Sequence, residues 1–581
     1  MVMVMATRTG TAHVVTTTRT YKDRVYRTHL LRRSYREDGT VKNETLGNLS
    51  HLPEALVDII RRALQGETFV PLAQALEIVS SRAQGQVAAV ATAMQRLGFA
   101  GLIAAKPCRE RDLVLAMVAA RIIAPQTKLA TTRWWHGTTL AEDFAVAEAS
   151  EDDLYAAMDW LLLHQRRIEK KLAARHLQTG SLVLYDLSSS YFEGLTCPLA
   201  KRGYNRDGKH GLLQVNYGLL TDHRGCPVAV SVHEGNVSDS TTLLPEVQRL
   251  RTAFGLEQMV MVGDRGMISQ QAIDAMQGSE GIGWITALKS VSIRSLVEQG
   301  QLQLGLFDER NLFEFSAPEY PGERLVACRN GPLAKLRAHK REDLLCATEN
   351  NLEKIKARVD AGKLIGQDAI GVRVGKVINQ YKVAKHFDLM IGETTFSFQR
   401  RSDQIAAEAA LDGIYIIRTS VPATQMSEAD CVRNYKSLSN VERAFRSFKT
   451  IDLKVRPIHH RLADRVRAHI FLCMLAYYVE WHMREAWRDL MFADPDQAAK
   501  NSRDPVAPAK RSKAALTKVA RHTLDDDTPV HSFATLMADL ASIVRNTCRT
   551  PMTANAPSFE ILTTATPKQL HAMQLLRQIT P

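Results

Sequence analysis

The sequence lacks the short cysteine pairs from which redox centres and zinc sites are commonly built. Its eight cysteines are scattered along 581 residues, and no Cys-x2-Cys pair occurs among them. We therefore expect reduced cysteines without a redox or zinc-binding role.

Long apolar segments are missing as well. No apolar run approaches the roughly 18 residues that a membrane-spanning helix requires. The first residues, MVMVMATRTG, hold too short an apolar stretch for a signal peptide. No internal repeat is present. The expected compartment is the cytoplasm.

The composition is that of a folded globular chain. A hydrophobic fraction of 45% and a charged fraction of 24% argue against a disordered or fibrous protein. A chain of 581 residues is too long for one ordinary core, so roughly two to four structural regions are expected.

Positive charge is in excess, with a net charge of +13 and an isoelectric point near 9.3. Clustered Lys and Arg bind phosphates by displacing condensed counterions. The charge is concentrated between Cys431 and Ile470, where ten basic residues stand against three acidic ones. This pattern favours a polyanionic partner over a merely basic enzyme.

The first 178 residues divide into a basic arm and a helical region. Residues 1–52 are predicted to form a β-hairpin arm around the turn Glu37-Asp38-Gly39, either contacting DNA or lying solvated at a domain edge. Residues 53–178 show helical periodicity, including the stretch LVDIIRRALQ. That region either binds DNA or provides packing support for the residues after it.

Residues 179–288 change character and predict the element order β-β-β-α-β-α-β. The strands are short apolar runs such as SLVLYDLSSSYF and QMVMVGD, and the two helices begin near Ser238 and Ser269.

Residues 289–425 break into short strands and predict a β-rich insertion with one charged helix at roughly Pro332 to Lys363. The strands are predicted at RLVACRN, GVRVGKVI, HFDLMIG and GIYIIRT. Residues 426–492 are helical, beginning after a capping box at Ser427. Residues 493–581 have the composition of a linker followed by a small helical tail.

Two aspartates stand out against apolar surroundings. Asp186 lies inside an apolar strand, where a lone carboxylate is costly unless it is paired, hydrogen-bonded or bound to metal. Asp264 ends a second apolar strand, at the edge of a sheet where ligand groups gather. Taken singly, each aspartate also fits a turn acid or a buried hydrogen-bond acceptor.

A third acid follows from helical geometry in NYKSLSNVERAFRSFK. Tyr435, Glu442 and Lys449 are spaced by sevens and would share one face of a helix. The adjoining apolar face would dock on the core through Leu438, Val441, Phe445 and Phe448. An exposed helix with a Glu442–Arg446 pair is the alternative.

In these blocks the chain resembles the DDE transposases of bacterial insertion sequences. SLVLYDLSSSYFE resembles their first catalytic block and MVMVGDRGMIS the second. YKSLSNVERAFRSFK is similar to their Tyr-x2-Arg-x3-Glu-x6-Lys signature, in the insertion-sequence-four superfamily branch that has a β-rich insertion. The likeness extends from about Ser181 to Glu480 and is weaker before it.

The resemblance implies an α/β fold: a ribonuclease H-like catalytic core interrupted by a β-rich insertion, with a helical N-terminal region. The first and fourth strands would carry Asp186 and Asp264, and a late helix would bring Glu442 beside them. The insertion would lie over the active site and help to organise the DNA end.

The implied activity is metal-dependent cleavage at element ends followed by strand transfer. Asp186, Asp264 and Glu442 would hold two Mg²⁺ or Mn²⁺ ions, hard cations that prefer oxygen ligands. The implied partners are the terminal inverted repeats and target DNA, bound by a homodimer in the nucleoid-associated cytoplasm, without a membrane.

The resemblance also implies contacts to DNA phosphates. Tyr435 and Lys449 are the signature residues for this role, whereas Leu438 stands where the signature often has Arg, so that Lys436 or Arg446 would replace the missing contact. The basic track, for which solvated charges are the alternative, continues through Arg443, Arg446, Lys454 and Arg456.

Two other functions remain open on the sequence alone. One is a ribonuclease H-like nuclease without strand transfer, although the basic arm and the insertion favour the handling of DNA ends. The other is a non-catalytic DNA-binding protein derived from a transposase, although the presence of all three acids favours catalysis.

Overall fold

The computed structural model describes residues 10–22, 24–69, 76–204, 206, 208, 209, 211–550 and 557–581. It divides into two compact units. One consists of Met1–Ser81 and Asn546–Ile561, and the other of Arg82–Arg545 and Leu562–Pro581. Within the described residues no single helix is long and apolar enough to cross a membrane, and one bent helix pair, Arg109–Ile123 with Lys128–Gly137, passes by length and composition only.

The first unit begins with an antiparallel sheet of three strands, β1 (Thr11–Tyr21), β2 (Arg24–Glu37) and β3 (Thr40–Asn48), in that order. Asp38 and Gly39 both have positive φ, of 52° and 78°, as the tight turn between β2 and β3 requires. The predicted hairpin is therefore confirmed, and β1 extends it into a sheet. Helix α1 (Glu54–Leu64) and strand β4 (Glu77–Ala83) come next in the chain.

The second unit opens with the helical region that periodicity predicts. Its long helix α4 has an almost wholly buried surface, from Leu113 to Ile122, which places it inside the fold. The helices are α2 (Gly85–Arg96), α3 (Phe99–Ile103), α4 (Arg109–Ile123), α5 (Lys128–Trp134), α6 (Leu140–Asp143), α7 (Glu151–Leu163) and α8 (Gln165–His176).

The next elements confirm the predicted order β-β-β-α-β-α-β. The two helices begin where they were predicted: Ser269 caps α10 with its side chain, and Ser238 precedes α9. The elements are β5 (Ser181–Tyr191), β6 (Gln214–Thr221), β7 (Pro227–Glu234), α9 (Asp239–Thr252), β8 (Met259–Val262), α10 (Gln270–Gln277) and β9 (Ile282–Ala287).

The segment predicted to be β-rich contains more helix than strand. Three of its predicted strands are confirmed as β11, β12 and β14, and the charged helix as α12. Its elements are α11 (Ser290–Glu298), β10 (Leu312–Phe315), β11 (Arg324–Arg329), α12 (Gly331–Asp360), α13 (Gln367–Tyr381), β12 (Phe387–Ile391), β13 (Phe396–Arg400), α14 (Ser402–Ala409) and β14 (Ile414–Thr419).

The strand predicted at GVRVGKVI is wrong, because these residues lie in α13. The buried side chains of this helix are Ile370, Val374 and Ile378, which recur every four residues. That spacing places them on one helical face, whereas a strand would need alternation.

A single mixed sheet of eight strands runs through the second unit, in the order β10-β11-β14-β9-β8-β5-β6-β7. β5 pairs antiparallel with β6 and parallel with β8, which in turn is parallel to β9. Three strands of residues 289–425 thus continue the sheet beyond β9.

The late helices close the second unit. α15 (Glu428–Lys436) and α16 (Leu438–Arg446) are separated at Ser437, and a π-helical turn, Ser447–Ile451, comes directly after α16. α17 (Ala463–Ala486) is buried along most of its length. The tail contains α18 (Gln497–Ser502), α19 (Lys513–Arg521), α20 (Phe533–Leu540), β15 (Val544–Arg549), β16 (Phe559–Leu562) and α21 (Pro567–Arg577). β15 and β16 lie mostly in the first unit, where they join β4 in a small sheet.

Candidate active site

Asp186 lies on β5, and Asp264 follows the parallel neighbouring strand β8 by two residues. The last paired residues of β5 and β8 are Leu184 and Val262, and each aspartate lies two residues further along its own chain. The two strands are neighbours about 4.8 Å apart, and the charge of Asp264 acts on the Asp186 carboxyl. The sheet therefore brings the two predicted acids together.

The loop after β8 fixes the Asp264 carboxylate. Its Oδ1 accepts hydrogen bonds from the backbone N–H groups of Gly266, at 2.9 Å, and Met267, at 2.7 Å. The residue itself is exposed. Asp264 thus stands at the surface with one oxygen held by the backbone, where a ligand can reach it.

Helix α16 delivers Glu442 to the face of the sheet on which Asp186 lies. Val441 and Phe445 are buried, and the rings of Phe445 and Phe448 lie 5.8 and 5.7 Å from the ring of Tyr217 on β6. Leu219, the direct cross-strand partner of Asp186, lies two residues beyond Tyr217, so both side chains share the face of Asp186. The predicted apolar face of the helix is confirmed, and it leaves Glu442 exposed beside the sheet.

The charges of the three acids interact. The pKa of the Asp186 carboxyl is raised to about 7, chiefly by burial. The negative charges of Asp264 and Glu442 contribute to the increase, and the Leu187 amide and Arg206 oppose it. Their nearest oxygens do not all lie within 4.8 Å of one another. The arrangement is one of mutual repulsion that a cation would relieve.

Tyr435 lies beside the acids, although the expected continuous helix is interrupted at Ser437. Burial raises the pKa of its hydroxyl to about 12, and Asp264 and Glu442 contribute to the increase. Tyr435 and Glu442 therefore lie near each other, as predicted, but on two helices rather than on one continuous helix. Lys449 is buried in the π-helical turn, 9% exposed, so the regular spacing of sevens does not continue to it.

The remaining predicted cations differ in their surroundings. Lys436 donates to the backbone carbonyls of Pro505 and Val506, so its ammonium is held by the chain itself. The guanidinium of Arg456 lies 5.9 Å from the ring of Tyr191, at the end of β5. Three of the predicted cations are exposed: Arg443, Arg446 and Lys454.

A buried polar network behind the π-helical turn was missed by sequence reasoning. The Ser447 hydroxyl contacts the carboxylates of Asp452 and Glu480, at 3.0 Å for Glu480. Arg484 pairs with Glu480 at 2.6 Å and with Asp452 at 2.8 Å. Glu480 is fully buried, and its presence in a long apolar helix was the available signal.

Arg206 is a second residue that sequence reasoning did not single out. Its guanidinium forms a bidentate pair with Asp239, the first residue of α9. The positive charge also lowers the pKa of Asp186. Arg206 is therefore a cation at the margin of the acidic site, anchored to the helix after β7.

Two family models match this chain. Residues 193–479 match the transposase DDE domain, and residues 14–71 match the N-terminal domain of the IS1634 family of transposases. The chain belongs to the DDE transposases of bacterial insertion sequences. The DDE match includes Asp264 and Glu442 and begins after Asp186.

A cryo-EM structure of the piggyBac transposase synaptic complex with hairpin DNA is a structural relative of low similarity. It has a TM-score of 0.32 and 9% sequence identity, over 78% of this chain and 76% of that one. No curated protein matches the sequence.

The transposase is therefore an enzyme of DNA transposition that depends on divalent metal, cleaves DNA and transfers its strands. Membership of the family decides between transposition and the two alternatives that the sequence left open. DNA is its partner, in keeping with the net charge of +13.

Proposed function

We propose that Asp186, Asp264 and Glu442 are the catalytic residues with which this insertion-sequence transposase cleaves element ends and joins them to target DNA. The observation that carries the proposal is the equal offset of Asp186 and Asp264 beyond the last β5–β8 pair. Glu442 is supplied by α16, which packs through Phe445 against the same sheet face.

We propose a ribonuclease H-like core for the second unit. The strand order β7-β6-β5-β8-β9, with three antiparallel strands followed by two parallel ones, supports it. The core would comprise residues 179–288 and 426–492, and residues 289–425 would be an insertion between β9 and α15. The other proposed regions are 1–52, 53–178 and 493–581.

The three acids fit a site for Mg²⁺ or Mn²⁺. All three offer carboxylate oxygens, which these hard cations prefer. Asp186 is half-buried, and burial together with the charges of Asp264 and Glu442 raises the pKa of its carboxyl. Two such ions, when bound, would stabilise the anionic transition state of phosphodiester cleavage and strand transfer. Asp186, Asp264 and Glu442 would together hold them.

The residues around the acids would hold and orient DNA. We assign phosphate contacts to Tyr435 and Lys449, to the half-buried Arg456, and to three exposed cations, Arg443, Arg446 and Lys454. Leu438 is partly buried against the core and offers no charge, so Arg446 is the best replacement for the cation that the family signature has there. Lys436 is the weakest candidate, because its ammonium already binds two carbonyls.

The DNA substrates would be the terminal inverted repeats of the element and a target duplex. Joining two ends in one event requires two active sites, which a homodimer would supply. Such a complex would work on the nucleoid in the cytoplasm.

The substitution Asp264→Asn tests the proposed site. It keeps the shape of the side chain and the acceptor for the Gly266 and Met267 amides, but it removes the charge. We expect end cleavage and joining in Mg²⁺ to fall on the order of a thousandfold, the scale of losing a transition-state charge stabiliser. DNA affinity should stay within about twofold, because Lys and Arg provide the phosphate contacts.

Asp274→Asn is the matched control, since Asp274 is exposed on α10 and accepts a hydrogen bond from its helical neighbour Gln270. It should cleave and join at the wild-type rate. Wild-type joining by the Asp264→Asn protein would remove Asp264 from the catalytic site.

A further inference from the structure

Three metal-ligating side chains other than the acids meet in the second unit. His176 ends α8, Cys226 lies in the turn between β6 and β7, and His482 lies on α17. The Cys226 sulfur is 4.0 Å from Nε2 of His176 and 3.8 Å from Nε2 of His482. Across the described ranges, this is the one group of three or more potential ligands that all lie within 4.8 Å of one another.

The distances are close to those of a zinc site. Zn²⁺ binds thiolate sulfur at about 2.3 Å and imidazole nitrogen at about 2.0–2.1 Å in tetrahedral geometry, which separates sulfur from nitrogen by roughly 3.6 Å. The observed separations exceed this by only a few tenths of an ångström. Cys226 and His482 are buried, and His176 is half-buried, so the set is protected yet reachable.

We propose that His176, Cys226 and His482 bind one Zn²⁺ ion. Thiolate and imidazole ligands select Zn²⁺ over the Mg²⁺ and Mn²⁺ that carboxylates prefer. As the sulfur–metal bond forms, the Cys226 thiol gives its proton to solvent. Metal binding also replaces the 3.0 Å hydrogen bond between Nε2 of His176 and the hydroxyl of Tyr478.

The surrounding charges accept a cation. Asp222 and Glu485 act on Cys226 with negative charge, and the thiolate adds another. The nearest guanidinium, that of Arg224, is already paired with Asp222 at 2.9 Å and stacked on the ring of Trp481. Arg175 is the other cation that acts on both histidines.

The ion would link α8, the β6–β7 turn and α17, and α17 supports the turn that follows the catalytic helix. α17 carries Glu480 and Arg484, which hold Ser447 and Asp452 at either end of the π-helical turn. A metal ligand at His482 fixes the register of α17 between these two side chains. The site is therefore structural, and it does not depend on the assignment of the catalytic acids.

Cobalt substitution tests the proposal on the full-length wild-type protein. Co²⁺ bound to a thiolate gives a sulfur-to-metal charge-transfer absorption that carboxylate-bound Co²⁺ does not give. We expect this absorption to saturate at one equivalent of Co²⁺ and to vanish when one equivalent of Zn²⁺ is added. Removal of the metal should also lower the thermal unfolding temperature.

Cys226→Ser should abolish the absorption and weaken Zn²⁺ binding more than about a hundredfold, beyond the loss that outer-shell changes cause. Cys473→Ser is the matched control, because Cys473 is buried 3.9 Å from Nε2 of His469 but belongs to no three-ligand group among the described residues. It should bind Zn²⁺ like the wild type. His482→Gln removes a different ligand and should also weaken Zn²⁺ binding.

The absence of thiolate–cobalt absorption in the wild-type protein would overturn the proposal regardless of how the variants fold. So would a folded Cys226→Ser protein that retains one tightly bound Zn²⁺. Loss of DNA cleavage in Asp264→Asn bears only on the catalytic acids, so the two assignments fail independently.

Discussion

Lys128 is a buried lysine whose neighbours are cations rather than acids. It is 5% exposed at the start of α5, and its surroundings include the buried Arg121. The pKa of its ammonium is lowered to about 7, chiefly by burial and in smaller part by the charge of Arg121. Keeping this residue inside the fold costs free energy whenever it is protonated in the unfolded chain.

Replacing Lys128 with Met should stabilise the protein in a pH-dependent way. The pKa of Lys128 in the folded protein lies below the ordinary value of 10.5, so the unfolded chain binds the proton more readily. The free energy of unfolding therefore decreases as pH falls from about 10 to about 7. The gain in unfolding temperature of Lys128→Met over the wild type should grow as pH falls through this window and level off below it.

Thermal unfolding between about pH 6 and about pH 10, a range that spans the window of lost stability, measures this gain for Lys128→Met. Lys170→Met, at an exposed position of α8, is the control and should show no such trend. A constant difference between wild type and Lys128→Met at all pH values would contradict the assignment of a depressed lysine.

Single residues also show where sequence reasoning stops. Asp186 was recognisable because a carboxylate in an apolar strand needs a partner, and the motif blocks added Asp264 and Glu442. Cys226 was set aside because no second cysteine stands near it in the sequence, yet His176 and His482 reach it through the fold. Ligands from distant elements leave no spacing to recognise.

At the scale of elements, β5 and β6 pack through a glycine that makes room for an aromatic ring. Tyr185 is fully buried, and Gly218 lies diagonally across from it on β6. A Cβ at Gly218 would lie 2.6 and 2.7 Å from Cε2 and Cζ of the ring. The ring precedes Asp186, so its position bears on the catalytic strand.

Gly218→Ala should destabilise the second unit by about 1–3 kcal/mol, because the ring must move within a packed core. Gly375→Ala is the control for the same substitution, in open space on α13, and it should raise stability by up to about 1 kcal/mol. Denaturant unfolding gives both values. Equal stability of Gly218→Ala and wild type would show that the ring is not confined.

The elements that could be predicted are those with a single local signal. The strands from β5 to β9 are short apolar runs bounded by turns, and their order was predicted correctly. α13 was misread because its valines and isoleucines suggested a strand, although Ile370, Val374 and Ile378 follow a helical period. The break at Ser437 and the π-helical turn depend on buried contacts such as Ser447 to Glu480, which no local pattern encodes.

At the scale of the whole molecule, exposed cations and exposed apolar side chains coincide at one end of the β1–β2 hairpin. Tyr21 is 60% exposed, Val25 60% and Tyr26 52%. Beside them Arg19, Lys22 and Arg24 are exposed, and register pairs Arg19 with Tyr26 and Tyr21 with Arg24. A two-stranded ribbon fits the major groove of DNA, and cations with aromatic side chains suit its backbone and bases.

Neutralising this end of the hairpin should therefore separate DNA binding from chemistry. The triple change of Arg19, Lys22 and Arg24 to Gln should weaken binding to element ends and reduce the slope of log affinity against log salt by up to about 0.9 for each cation that touches phosphate. Fluorescence anisotropy across a salt series measures both quantities. The unfolding temperature of the second unit should not change, since that unit has its own core.

A charge-matched control changes three exposed cations of the tail to Gln, namely Lys513, Lys568 and Arg577. If that control lowers affinity and slope as much as the hairpin variant, then binding follows net charge alone and the hairpin has no special role.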